Sequence, residues 1–176
     1  MDCGSLFPKL KPLAAYLDSL TARMDLEVIE RLLAESAVTV TDVKDACNFC
    51  DTNYQRNKIG TSGWYDLLVI CWRPGQATAI HDHMGSSCGF KILAGSSTEV
   101  AYECASKKPG PNDCVHPVRQ RIYKTGELCL AQDNDIHRIS NDSPIEDLVT
   151  LHIYSPPLKM HCYECDPAFY FVETNH

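Results

Sequence analysis

The run Gly75-Gln76-Ala77-Thr78-Ala79-Ile80-His81-Asp82-His83, followed by Cys88 and Gly95, decides how this chain is read. Side chains alternate along an extended strand, so His81 and His83 share one face while Ile80 and Asp82 take the other. Further on, Gly126 is followed after ten residues by His137 and after three more by Asn141. Two imidazoles from one strand and a third from a later strand can hold a metal ion and leave other positions open, which suits chemistry rather than scaffolding. Nitrogen-only ligation fits Fe, Ni, Cu or Zn. Asp82, aimed away from the imidazoles, is expected to make a fold-supporting hydrogen bond. His116, His161 and His176 are expected in loops or at the terminus.

The two runs resemble the paired motifs of the cupin superfamily, small β-barrels that bind metal in the barrel mouth. The spacing agrees across 67 residues, Gly75 to Asn141. Cys88 stands where the family's metal-binding glutamate would be, so the metal would keep its full positive charge and favour an anionic ligand such as a thiolate. Gln132-Asp133-Asn134 replaces Pro-x-Gly, with Asn134 expected to take the left-handed turn usually given to glycine.

Working outward, 176 residues suffice for one domain with a proper core. The reading is mainly β: a cupin or jelly-roll barrel spanning 54–176, with helices over residues 1–50 packed outside it, the whole of 1–176 forming a single domain. Leu13, Leu17, Leu20 and Met24 recur at helical spacing behind Pro12. Leu26, Ile29, Leu32 and Leu33 make a second stripe, and Thr39 or Thr41 could cap a third short helix. Tyr65–Trp72 reads as a buried strand. Further short strands are expected around 78–83, 87–94, 98–104, 118–124, 128–132, 136–140, 147–154 and 168–173, separated by Gly, Pro, Asn and Asp turns. The stretch 107–113 reads as a surface loop.

A net charge of −7 argues against nucleic acid or an anionic membrane as partner. No stretch of eighteen apolar residues is present to span a membrane, and no signal peptide is visible. The ten cysteines are therefore expected reduced, in a cytoplasmic protein. Cys71 and Cys129 lie in apolar runs as small buried hydrophobes. The pairs Cys47/Cys50 and Cys162/Cys165 are 111 residues apart, far beyond the usual gap of about 15–20 for a shared zinc site.

Two further patterns carry chemistry. In Thr150-Leu151-His152-Ile153-Tyr154-Ser155-Pro156, alternation puts Thr150, His152 and Tyr154 on one face, either lining a polar cavity or facing solvent. Ser155-Pro156 is a candidate cis bond. Tyr54 and Arg56 point the same way, and an arginine at a cavity edge is a forked clamp for a carboxylate.

Over residues 54–157 these pieces resemble the cysteine dioxygenases, thiol dioxygenases of the cupin superfamily. The resemblance implies one mononuclear non-haem Fe(II) held by His81, His83 and His137. It implies a thioether cross-link between Cys88 and Tyr154 as a protein-derived cofactor, with His152 beside the catalytic tyrosine. Arg56 and Tyr54 would hold the carboxylate of the substrate, L-cysteine. O2 would be the second substrate and cysteine sulfinic acid the product, on the route of cysteine catabolism towards taurine and sulfate. Thr150 stands where the family has serine, and Cys162 lies near a cysteine that some members place at the cavity mouth. A monomer is expected. The alternatives are a dioxygenase for 3-mercaptopropionate or another small thiol, in which the clamp position resembles Gln, a non-catalytic metal-binding cupin, and a zinc-stabilised interaction module built on the Cys pairs.

Overall fold

All of Asp66–Trp72 and of Leu148–Ser155 is buried, because these two strands have protein against both faces. The computed structural model, which describes residues 6–106, 110 and 113–165, is mainly β. Its strands are β1 (Gln55–Thr61), β2 (Asp66–Trp72), β3 (Ile80–His81), β4 (Ser87–Ala94), β5 (Ser96–Cys104), β6 (Cys114–Lys124), β7 (Leu128–Gln132), β8 (Ile136–Ser140), β9 (Leu148–Ser155) and β10 (Cys162–Cys165). Two α-helices precede them, α1 (Lys11–Asp18) and α2 (Leu26–Glu35), with a 3₁₀ helix at Val40–Ala46.

One sheet runs in the order β1-β2-β9-β4-β7. The other, β10-β3-β8-β5-β6, closes on itself through a parallel pairing of β10 with β6. The first sheet is covered outside by the helices and inside by the second sheet. Leu67, Val69, Leu151 and Ile153 pack outward with Leu17, Ile29 and Leu33 of the helices. Leu68, Ile70, Trp72, Phe90 and Tyr154 form the inner layer with Ile139 of the opposing sheet. A smaller cluster of Val100, Tyr102, Val115, Ile136 and Tyr163 fills the closed ring.

Gly89 explains how α2 lies flush on the first sheet. A Cβ there would stand 2.5 Å from Ile29 Cγ2 and 2.9 Å from Leu130 Cδ2, so only glycine admits the helix at this depth. Burying Ile29 and Leu33 completely contributes about 1.5–3 kcal/mol each. The Lys91 ammonium finishes the helix by donating to the carbonyls of Leu33 (3.1 Å) and Ser36 (2.6 Å).

Several expectations need correction. The first helix stops at Asp18, short of Leu20 and Met24, and the Ser19 hydroxyl bonds back to the Tyr16 carbonyl at 2.7 Å. Met24 still reaches the same core. Of the two cap candidates Thr39 is the one used, and its capping box with Asp42 opens the third short helix, which is 3₁₀. Asp133, not Asn134, takes the left-handed conformation (φ +51°), its carboxylate gripped by Arg23 at 2.6 and 3.0 Å. His116 lies within β6 rather than a loop, and β10 occupies residues where no strand was expected. The expected strand at 168–173 and His176 lie outside the described residues, as does most of the 107–113 stretch. No helix among the described residues is long and apolar enough to cross a membrane.

Candidate metal centre

His81 on β3 sits directly across from His137 on β8, and His83 follows just beyond the end of β3. All three are buried, and their ring centroids are 4.8 to 5.4 Å apart. Their ligand atoms lie within 4.8 Å of one another, so the three imidazoles form a candidate site for one metal ion.

The other ring nitrogens explain why the rings face this way. His81 Nδ1 is 3.0 Å from the Ala79 carbonyl and His83 Nδ1 is 3.2 Å from that of Asp135. A carbonyl only accepts, so each Nδ1 carries the hydrogen and each Nε2 is left with a free lone pair. His137 Nδ1 meets Glu99 Oε1 at 2.9 Å and is oriented in the same way. Burial, then the neighbouring imidazoles, holds His81 down to about 4 and His83 to about 3, so both are neutral at pH 7 and able to donate to a metal. His83 Nε2 is buried with no hydrogen-bond partner among the described residues, a cost that an ion would remove. The donor set therefore fits a divalent first-row metal.

Glu99 carries no sequence signal beyond an acid at a buried position of the mixed polar and apolar strand β5. Burial raises its pKa, but hydrogen bonds from His137, Tyr123 and Cys129 outweigh that and bring it to about 2, so it is anionic. The expectation of an uncompensated dication is corrected accordingly: a carboxylate stands behind one of the ligands.

The metal face opens on a cavity of about 200 Å³ between the sheets. That is below the roughly 300–1,000 Å³ of drug-sized pockets and suits a ligand of a few heavy atoms. Its lining includes Tyr54, Arg56, Cys88, His152, Tyr154 and Cys162, which joins every sequence-predicted site residue except buried His83 to one space. Thr150, His152 and Tyr154 face inward and are buried, so the solvent-facing alternative is excluded. Thr150 Oγ1 lies 2.8 Å from His152 Nε2, and His152 Nδ1 lies 3.2 Å from the Tyr154 hydroxyl. The Trp72 indole N–H donates to Thr150 Oγ1 at 3.1 Å, and Phe90 stacks on His152 at 4.5 Å. Neither Trp72 nor Phe90 was singled out from sequence, since their roles depend on cross-strand register. Burial keeps His152 neutral and raises the Tyr154 hydroxyl well above its ordinary value, so it stays protonated.

Cys88 and Tyr154 are register partners on β4 and β9, which puts their side chains on the same face. The Cys88 thiol is pushed up to about 12 by burial. Tyr54 stacks on Trp72 at 4.4 Å. The half-buried Arg56 guanidinium lies 5.2 Å from the Tyr154 ring centroid, and among the described residues no carboxylate pairs with it. Asp82 points away as expected and accepts from the His161 backbone N–H (2.8 Å), His161 Nδ1 (2.9 Å) and the Tyr163 hydroxyl (2.7 Å), tying β10 to the segment that carries His81 and His83. Cys162 is paired in register with His81 at the cavity wall. The Cys47/Cys50 and Cys162/Cys165 pairs form no metal-binding group among the described residues.

The family model for cysteine dioxygenase type I matches residues 9–166. Cysteine dioxygenase type 1 of Danio rerio is 28% identical over 138 residues, covering 77% of this chain and 68% of the relative. The Homo sapiens protein of the same name is 29% identical over 136 residues, covering 76% and 66%. The chain thus spans about two thirds of the length of these relatives. A solved Klebsiella pneumoniae protein with a double-stranded β-helix domain shares the fold, with a TM-score of 0.54 at 17% identity over 74% of this chain and 93% of that one. With a family model running through both sheets and all three imidazoles, this chain belongs to the cysteine dioxygenase type I family.

Proposed function

We propose that this protein is a mononuclear non-haem iron dioxygenase that converts L-cysteine and O2 to cysteine sulfinic acid in the cytoplasm. The observation that carries the reading is the half-buried Arg56 guanidinium, unmatched by any described carboxylate, across one small cavity from the imidazoles of His81 and His137, which group with His83 as a candidate three-nitrogen site. A cation so placed calls for a small ligand carrying its own carboxylate, and the metal face calls for a group such as a thiolate.

His81, His83 and His137 would hold the ion, and a bound ferrous ion would supply the redox centre at which thiol and dioxygen react. Both oxygen atoms end on sulfur, so RSH + O2 gives RSO2H without an outside reductant. Arg56 clamps the carboxylate with Tyr54 at its side, and this fixes the sulfur relative to the imidazoles. Tyr154 keeps its proton and offers a hydroxyl to the reacting atoms, while Thr150 and His152 hold that hydroxyl in place. A Cys88–Tyr154 thioether would form as the S–H and one ring C–H break and a C–S bond closes, the two hydrogens passing to O2 as H2O2, and would remove rotamer freedom from the ring.

Oxygen uptake with L-cysteine by Fe(II)-loaded protein, with the product identified by mass, tests this reading. One O2 consumed per cysteine sulfinic acid is expected. Faster turnover of 3-mercaptopropionate than of L-cysteine, or no uptake with either, overturns it.

A further inference from the structure

A buried carboxylate is costly unless several donors face it, so its presence behind a single imidazole calls for a reason. The hydrogen on Nδ1 of His81 and of His83 is taken by a backbone carbonyl, which is enough to orient a ring. His137 alone is backed by a carboxylate, at 2.9 Å. The register of the second sheet prepares this contact. On β5, Ala101 stands directly across from His137, and its small side chain leaves room for Glu99, two residues earlier on the same face, to reach the ring diagonally. Glu99 is then fixed from the side: Oε1 also accepts from the Cys129 thiol at 3.3 Å, Oε2 accepts from the Tyr123 hydroxyl at 2.9 Å, and the Arg119 guanidinium lies 3.7 Å from Oε2.

We propose that Glu99 is a positioning residue that acts on the bound metal through His137, giving the centre a negative charge one imidazole removed from the ion. The carboxylate draws on the Nδ1 hydrogen and makes Nε2 of His137 a stronger donor than Nε2 of its two companions. Among the described residues Glu99 is the one carboxylate behind the three imidazoles, and it shares its charge with the more exposed Arg119 guanidinium at 3.7 Å. This deepens the metal reading above and rests on metal binding, not on the oxidation of cysteine.

The test is titration of the metal-free protein with Co(II) against a competing chelator, reading affinity and the Co(II) electronic spectrum. Glu99→Gln keeps an oxygen acceptor near Nδ1 and removes the charge. It is expected to weaken Co(II) binding by about 10–100-fold and to shift the ligand-field bands. Tyr123→Phe removes one donor that competes for the carboxylate, so affinity should hold or rise. Should Glu99→Gln not fold, Tyr123→Phe decides alone, a fall in affinity counting against the proposal. Equal losses in both variants would mark the cluster as packing only and overturn the proposal, as would an unchanged affinity and spectrum in Glu99→Gln. A second Co(II) ion at Glu99, Cys129 and His137, whose donor atoms lie within 4.8 Å of one another, also overturns it. A wild-type protein that binds no Co(II) sinks the metal reading itself, a result distinct from the others.

Discussion

Replacing Thr150 with Val keeps the outline of the side chain and removes one oxygen that three groups use. The Trp72 indole N–H loses its acceptor at 3.1 Å, His152 Nε2 loses its partner at 2.8 Å, and the 3.3 Å bond to the Ile70 carbonyl disappears. No water can replace the hydroxyl without displacing protein, since Thr150 is fully buried. Leaving a buried polar group unsatisfied costs about 1–3 kcal/mol, so orphaning Trp72 and His152 costs about 2–6 kcal/mol. In a domain of this size 1 kcal/mol moves the melting temperature by about 2–4 °C, and a mid-range loss of about 4 kcal/mol lowers it by about 8–16 °C. Freed from Thr150, His152 no longer fixes the Tyr154 hydroxyl, so cysteine turnover should fall by at least about tenfold, a barrier increase of about 1.4 kcal/mol. Thr150→Ser restores the oxygen and drops one methyl, at about 0.5–1.5 kcal/mol by analogy with Ile→Val, and should keep near-normal turnover. The assays are thermal unfolding by circular dichroism and sulfinate formation at saturating cysteine. A Thr150→Val protein that melts and turns over like the parent refutes the reasoning, because the hydroxyl would then hold nothing.

Other perturbations probe separate parts of the molecule. His83→Ala removes one of the three metal-facing nitrogens, and iron content and turnover should be lost together; an active, iron-loaded variant refutes the ligand set. Arg56→Gln should raise KM for cysteine at least about tenfold, as expected for loss of a charge-assisted bond worth about 1.5–3 kcal/mol, while iron content stays unchanged in metal analysis. Arg23, through its bonds to Asp133, holds that carboxyl below the ordinary range. Its stabilising effect is full above the unfolded value near 3.9 and is lost as pH falls through the lower folded value. Asp133→Asn should therefore make the melting temperature less dependent on pH below about 4.

What could be read from sequence was whatever depends on neighbours in the chain. Alternation alone separated His81 and His83 from Asp82, and it put Thr150, His152 and Tyr154 on one face. What could not be read depends on register between distant strands. Glu99 meets His137 across 38 residues of sequence, and Trp72 meets Thr150 across 78. No local pattern encodes either meeting. Cys162–Cys165 reads poorly as a strand because it pairs with two partners far away in sequence, β3 and β6. The end of the first helix was hidden for the opposite reason: Leu20 and Met24 keep the helical spacing by packing on the same core after the helix has stopped. The left-handed turn went to Asp133 because its tertiary partner Arg23 holds it there, whereas propensity alone favoured Asn134.

Arg56 lies on β1, an edge strand of its sheet, which pairs with β2 alone and is bulged between Lys58 and Gly60. The Thr150–His152–Tyr154 chain, by contrast, sits on interior β9, buried along its whole length. Substitutions at a half-exposed rim disturb few packed neighbours and usually change stability by no more than about 0.5 kcal/mol. The fold thereby separates what is costly to alter from what is cheap. A lineage under selection for a different thiol acid could exchange the residue at this position many times over while the reactive interior passed unchanged from ancestor to descendant.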